Sequence, residues 1–214
     1  MKVIAINGSP RKSWNTATLL KHTLEGAASQ GAETEVINLY ELDFKGCTSC
    51  FACKRKDGEH GKCAMRDDLS PVLIKLRDAD AIIFGSPIYY SNITSGILGL
   101  LERLLFSNSI YSTQTPTVFP KKIPSAFLYT MNVTEEHAVS VGYLDKMVYH
   151  EKALERMLGK PVEAFYCFNT YQFSDYDKYE SSMFSESAKA KYKKEQFPID
   201  CHNAFELGAR LVQI

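Results

Sequence analysis

A chain of 214 residues with 25 basic and 25 acidic side chains carries no net charge, which argues against nonspecific nucleic-acid binding and against an anionic membrane surface as partner. That length suffices for one α/β domain with a full core, and no apolar run approaches the roughly eighteen residues of a membrane-spanning helix. The first residues enter a strand pattern with no basic and apolar leader, so a cytoplasmic location is expected, and six cysteines held reduced there are not a disulfide framework.

Lys2-Val3-Ile4-Ala5-Ile6 is the continuous apolar, β-branched run of a buried parallel strand. Asn7-Gly8-Ser9-Pro10 stops it, each residue for its own reason: free φ at Gly, a missing donor at Pro, local side-chain bonds at Asn and Ser. A helix follows with Asn15 or Thr16 as its cap, carrying Leu20, Leu24, Ala27 and Ala28 at helical spacing, and Gly31 ends it. Residues 34–39 read as a second strand. A Cys-rich connection without period spans 43–68, and a short helix over 71–77 takes Asp68 or Ser70 as its cap. Residues 81–85 are a third strand, 95–106 a helix, 107–122 a polar loop and 124–129 a fourth strand. One long helix is expected over 138–158, supported by Val141, Leu144, Met147, Val148, Leu154 and Leu158. Gly159 stops it, residues 162–168 form a fifth strand, and 204–212 form the last helix. Five strands alternating with helices predict a parallel sheet covered on both faces. With no linker or repeat, one domain over 1–214 is expected. Ligands of such sheets bind beyond the carboxyl ends of the strands, at a switch point in strand order.

The loop from Asn7 to Thr16 sets free N–H groups, hydroxyls and a helix dipole at one point, which makes an anion site. It lacks the Gly-x-Gly-x-x-Gly of a dinucleotide loop and the Gly-Lys-Ser/Thr of a triphosphate loop. Hydroxyls and amides with Arg11 nearby suit a single phosphate monoester; the competing reading is a plain capped turn. Gly8-Ser9-Pro10-Arg11 followed by Asn15-Thr16 resembles the phosphate loop of the flavodoxin-like NADPH-dependent FMN reductases, and Gly85-Ser86-Pro87-Ile88-Tyr89 resembles the Gly-Ser-Pro-x-Tyr loop of that family. The resemblance implies a flavodoxin-like three-layer sandwich with strand order 2-1-3-4-5. It implies FMN as cofactor, with Ser9, Arg11, Asn15, Thr16 and Ala17 on the phosphate. Pro87, Ile88, Tyr89 and Tyr90 would supply a flat wall for the ring, and Ser91 and Asn92 a polar edge. Thr130 and Met131, after the fourth strand, would face the ring from the other side or simply end a strand.

Cys47-x2-Cys50-x2-Cys53-x9-Cys63 sits beside Lys54, Arg55, Lys56 and Lys62. Thiolates so spaced can point at one metal centre, either [4Fe–4S] or zinc. The pattern resembles that of iron–sulfur flavoproteins, a branch of the same family in which the last gap is shorter. It equally resembles relatives with a trailing Cys-x3-Asp-Asp and metal-free thiols. Cys167 reads as a core residue, and Cys201 as packing the last helix.

Residues 169–179 are aromatic and irregular: a flavin cover, a partner contact or an ordered surface loop. They open a stretch, 169–200, that resembles a C-terminal extension of this branch. Lys189, Lys191, Lys193 and Lys194 read as a solvated helix face. His22, His60, His137, His150 and His202 have no ligand spacing, and no side chain is assigned as acid or base, as suits chemistry carried by a cofactor.

The expected activity is an FMN-dependent oxidoreductase. A nicotinamide, NADH or NADPH, passes hydride to flavin N5, and electrons go on to a small acceptor such as a quinone, flavin or aromatic compound. The alternative is an electron carrier with FMN plus [4Fe–4S] at Cys47, Cys50, Cys53 and Cys63. A weaker third is a thiol or zinc protein without flavin. The resemblance also implies a homodimer or homotetramer.

Overall fold

In the computed structural model, which describes residues 1–213, β1 (Lys2–Asn7) lies second in the order β2-β1-β3-β4-β5. β2 (Glu33–Asn38), β3 (Ala81–Pro87), β4 (Ser125–Thr130) and β5 (Val162–Cys167) are all parallel to their neighbours. Ile4 stands between Glu35 and Ile82, and Phe84 between Ile6 and Phe127. The order reverses between β1 and β3, so a crevice opens at their carboxyl ends.

Period-two alternation sends each strand's side chains into two cores. Val3, Ala5, Ile83, Ala126 and Leu128 pack under α1 (Asn15–Ser29) and α7 (Phe197–Leu211). Ile4, Ile6, Ile82, Phe84 and Phe127 pack under α2 (Leu69–Asp78), α3 (Ser95–Asn108) and α5 (Tyr143–Leu158). Leu19, Leu76, Leu100 and Leu104 are fully buried among them, each worth about 1.5–3 kcal/mol relative to exposure. On the second face Phe84, Phe127, Tyr129, Tyr166 and Phe168 form a continuous row with ring centroids 5.1, 4.9, 5.0 and 6.1 Å apart.

α1 and α7 touch backbone to backbone. A Cβ at Gly26 would stand 1.9 Å from the Phe205 carbonyl oxygen, and one at Gly208 1.8 Å from that of Thr23. Both positions demand glycine because the two helices leave no room between them.

Three expectations are corrected. The helix over 138–158 is two: α4 (Glu135–Ser140) and α5, broken at Gly142, whose φ of 69° is the left-handed region glycine reaches without cost. Val141 is consequently exposed rather than supporting the core. The last helix begins at Phe197, since Pro198 in its first turn is tolerated there, and α6 (Glu186–Glu195) precedes it. The expected caps are absent as well. Trp14 occupies the cap position before α1 and makes no side-chain cap, while Asn15 and Thr16 are bonded elsewhere. Asp68 likewise does not cap α2; Asp67 Oδ1 accepts from the Leu69 amide instead.

No helix among the described residues is long and apolar enough to cross a membrane.

Candidate functional site

β1 ends in a tightly bonded turn. Asn7 donates from Nδ2 to Asn38 at 2.9 Å and accepts the Ser9 amide at 3.0 Å, while Ser9 Oγ accepts the Arg11 amide at 3.1 Å. The loop after β3 is tied to this turn: the Gly8 amide donates to the Gly85 carbonyl at 2.8 Å, and Thr94 Oγ1 donates to the Gly8 carbonyl at 2.8 Å. The β1 and β3 loops are thereby one unit at the switch point.

Between them lies a cavity of about 130 Å³. Ser9, Arg11, Asn15 and Thr16 line it from the first loop, and Pro87, Ile88 and Tyr89 from the loop after β3. Thr130 and Met131 close it from the end of β4. Thr16 and Thr130 share a hydroxyl hydrogen bond of 2.7 Å at its base, and burial pushes the Tyr89 phenol up at its mouth.

Four candidates lie elsewhere. Ala17 faces the adjoining groove, with Lys12, Ser13 and Lys21. Tyr90 and Ser91 form the tip of a two-residue turn between Tyr89 and Asn92, at φ of 48° and 67°, and Tyr90 is fully exposed. Asn92 Oδ1 accepts the Ile93 amide at 2.8 Å and meets His150 Nε2 at 2.9 Å; burial pushes the His150 imidazole down.

The sequence reading missed Trp14, Asn132, Thr170 and Gln172, which complete the cavity wall. The segment after β5 crosses the first loop here. Trp14 Nε1 and Asn15 Nδ2 both donate to the Tyr171 carbonyl, at 3.0 and 2.9 Å, and Arg11 Nη1 donates to the Gln172 carbonyl at 2.5 Å. The aromatic character of 169–179 was the one available signal. Its rings pack on one another, with Tyr171 and Phe173 4.9 and 5.1 Å from Tyr176, and fix the carbonyls in place.

Lys189 is a further correction. It is 1% exposed, not solvated, and Nζ donates to the Asn132 carbonyl at 2.5 Å and to Asn169 Oδ1 at 3.1 Å. Burial pushes this ammonium down to about 8.

Cys47, Cys50, Cys53 and Cys63 line a second, smaller cavity, with Arg103 in its wall. Among the described residues no three His, Cys, Asp or Glu side chains are placed to hold a metal ion. Burial pushes the Cys53 thiol up, against the pull of Lys54 beside it. The Arg103 side chain is wholly buried, and Nη1 donates to Asp67 Oδ2 at 2.5 Å and to the Lys45 carbonyl at 3.2 Å. Nε and Nη2 have no partner. Burial opposes the Arg103 charge, but Asp67 and the nearby Cys63 sulfur more than restore it. Cys167 is core, as expected, and donates to Asp200 at 3.2 Å; Cys201 is buried in α7.

Residues 1–125 match the sequence profile of the NADPH-dependent FMN reductases. Iron–sulfur flavoproteins of Methanocaldococcus jannaschii and Archaeoglobus fulgidus are each 41% identical over 103 residues, 48% of this chain and 51% and 48% of theirs. The match thus spans about half the length of these curated relatives. Among solved structures, an NAD(P)H:quinone oxidoreductase from Methanothermobacter marburgensis superposes with a TM-score of 0.72 at 19% identity, covering 99% of this chain and 97% of that one. An FMN-dependent NADH-azoreductase from Bacillus anthracis, solved with FMN, gives 0.65 at 15% identity, covering 98% of both chains. At these identities the superpositions establish a shared fold.

Proposed function

Because this chain belongs to the NADPH-dependent FMN reductase family, we propose that it is an FMN-dependent NAD(P)H oxidoreductase acting on a small acceptor such as a quinone, a free flavin or an aromatic compound. The observation that carries this reading is the convergence of three donors on one spot. Arg11, Trp14 and Asn15 direct their N–H groups at two successive carbonyl oxygens, those of Tyr171 and Gln172. Trp14 spends its one N–H there, but Arg11 and Asn15 keep further N–H groups, donors of the kind a phosphate monoester accepts.

In this reading Ser9, Arg11, Asn15 and Thr16 hold the phosphate, with Ala17 adding the first-turn backbone of α1. Pro87, Ile88 and Tyr89 wall the ring on one side, and Thr130 and Met131 on the other. Tyr90, Ser91 and Asn92 form the outer rim, where an aromatic acceptor or a nicotinamide approaches. When bound, FMN would supply the redox chemistry, hydride acceptance from a nicotinamide and electron donation to the acceptor. The chain binds and orients, and the packed wall from Met131 to Gln172 keeps water from one face.

A second reading has one observation behind it. Four cysteines share a cavity with a buried guanidinium whose Nε and Nη2 lack partners. An anionic cluster of iron and sulfide would supply the missing acceptors, and to hold it the four thiols, which are not placed as ligands in this arrangement, would have to draw together. The protein would then relay electrons between FMN and a partner.

The visible spectrum of anaerobically purified protein, with released flavin identified and iron and sulfide assayed, tests both. A two-band FMN spectrum bleached by NADPH, without iron, supports the reductase. Stoichiometric iron and sulfide with slow bleaching by NADPH supports the relay. Protein that takes up no FMN refutes both.

A further inference from the structure

α6 is the most polar helix of the chain, yet one of its four lysines is buried. Lys191, Lys193 and Lys194 are exposed, whereas Lys189 points inward, 5.1 Å from the Phe184 ring. Its Nζ donates to the Asn132 carbonyl at 2.5 Å, to Asn169 Oδ1 at 3.1 Å and to the Thr170 carbonyl at 3.5 Å. All three acceptors are neutral. Among the described residues, no ion pair includes Lys189.

Burying an ammonium without a counter-ion is costly, and a neutral donor such as a glutamine amide would serve to tie three carbonyl-type oxygens together. Charge is the property that a latch does not need. Asn132 and Thr170, which receive that charge, both line the cavity between β1 and β3. Lys189 therefore sits one residue behind the wall, in a low-dielectric setting where its field reaches the cavity with little screening.

We propose that Lys189 is the counter-charge of this cavity: a positioning residue that, through the wall formed by Asn132 and Thr170, favours the reduced form of a bound flavin over the oxidised one. The inference rests on the FMN reading given above. Two electrons and one proton entering an isoalloxazine ring leave it with one negative charge more than the oxidised ring, and the protein meets that charge with a cation already in place. Preorganised charge near the ring is the means by which a protein tunes a flavin. Asn169, the second acceptor, is held at φ of 48°, a conformation that costs a non-glycine residue and that the Lys189 bond stabilises.

The test uses full-length protein loaded with FMN, comparing wild type with Lys189→Met, Lys189→Gln and Lys189→Arg. Affinities for oxidised FMN and for dithionite-reduced FMN are measured anaerobically, and the midpoint potential is read against a reference dye. Both neutral variants are expected to bind oxidised FMN within about threefold of wild type and reduced FMN about tenfold more weakly. That ratio lowers a two-electron potential by about 30 mV, and Lys189→Arg restores it. Equal weakening of both forms, or a potential indifferent to residue 189, overturns the proposal and leaves Lys189 a latch. Should Lys189→Met unfold, Lys189→Gln, which keeps donors for the same oxygens, carries the comparison. Wild type that takes up no FMN overturns the function reading and the proposal with it; wild type that binds FMN at an unresponsive potential overturns the proposal alone.

Discussion

Thr16 and Thr130 bring their hydroxyl oxygens within 2.7 Å of each other across 114 residues of chain, at positions only 2% and 3% exposed. The bond joins the first turn of α1 to the end of β4, the two sides of the candidate cavity. Thr16→Val or Thr130→Val alone leaves the other hydroxyl buried without its partner and is expected to cost about 1–3 kcal/mol. The double variant, which removes both polar groups and keeps their shape, should cost less than the sum of the two. Urea denaturation of the four proteins checks this; additive losses would mean the two hydroxyls do not depend on each other.

Asn15→Asp replaces the donor that holds the Tyr171 carbonyl at 2.9 Å with an acceptor, and adds a negative charge where a phosphate is proposed to sit. FMN affinity should fall at least tenfold, about 1.4 kcal/mol. Fluorescence titration of FMN measures it, and wild-type affinity in this variant would remove the phosphate from this loop.

Gly208→Ala sets a methyl group 1.8 Å from the Thr23 carbonyl oxygen, an obstacle made of backbone that cannot rotate away. α1 and α7 must separate, at a cost of about 1–3 kcal/mol or more. A lowered urea midpoint is the expected result; an unchanged one would show that the helix pair shifts freely.

Asp67 supplies the charge beside the wholly buried Arg103. Burial pushes the Asp67 carboxyl up, but the Arg103 hydrogen bond and charge outweigh it and hold the carboxyl below its ordinary value. A carboxyl lowered by folding adds stability above its unfolded value and loses it as pH falls through the folded value. The ion pair should therefore stabilise at neutral pH and weaken below about pH 4. Asp67→Asn is expected to cost about 3 kcal/mol at pH 7, the lower end of the range for a broken buried pair because Asp67 keeps some solvent contact. The gap between variant and wild type should narrow towards pH 3, measured by urea midpoints; a gap constant with pH would mean the carboxylate charge plays no part.

β1, β3 and β4 were legible because each is a largely apolar run of the kind a doubly covered sheet requires, whereas the edge strands β2 and β5 carry Glu33, Glu35 and Glu163 among their apolar residues. Gly8-Ser9-Pro10-Arg11 and Gly85-Ser86-Pro87 marked both loops of the crevice, since glycine and proline announce a turn locally. What stayed hidden was set by distant packing. Lys189 belongs to a run of lysines that reads as a solvated face, and only the placement of α6 against the ends of β4 and β5 turns it inward. Gly142 broke an apparently continuous amphipathic pattern, because apolar spacing survives a one-residue change of direction. Asn15 and Thr16 look like caps, yet Tyr171 and Thr130 claim them from more than a hundred residues away.

The bonds from Arg11, Trp14 and Asn15 to Tyr171 and Gln172 span between 156 and 161 residues, and the first helix packs against the last. Contacts so remote in sequence form late and slow the search for the native state. A ribosome that has released β1 to β4 has made most of the sheet but no closed crevice. On the proposed FMN reading, binding competence arrives only with the final quarter of the chain, and a product truncated before Tyr171 would leave the first loop's donors to water.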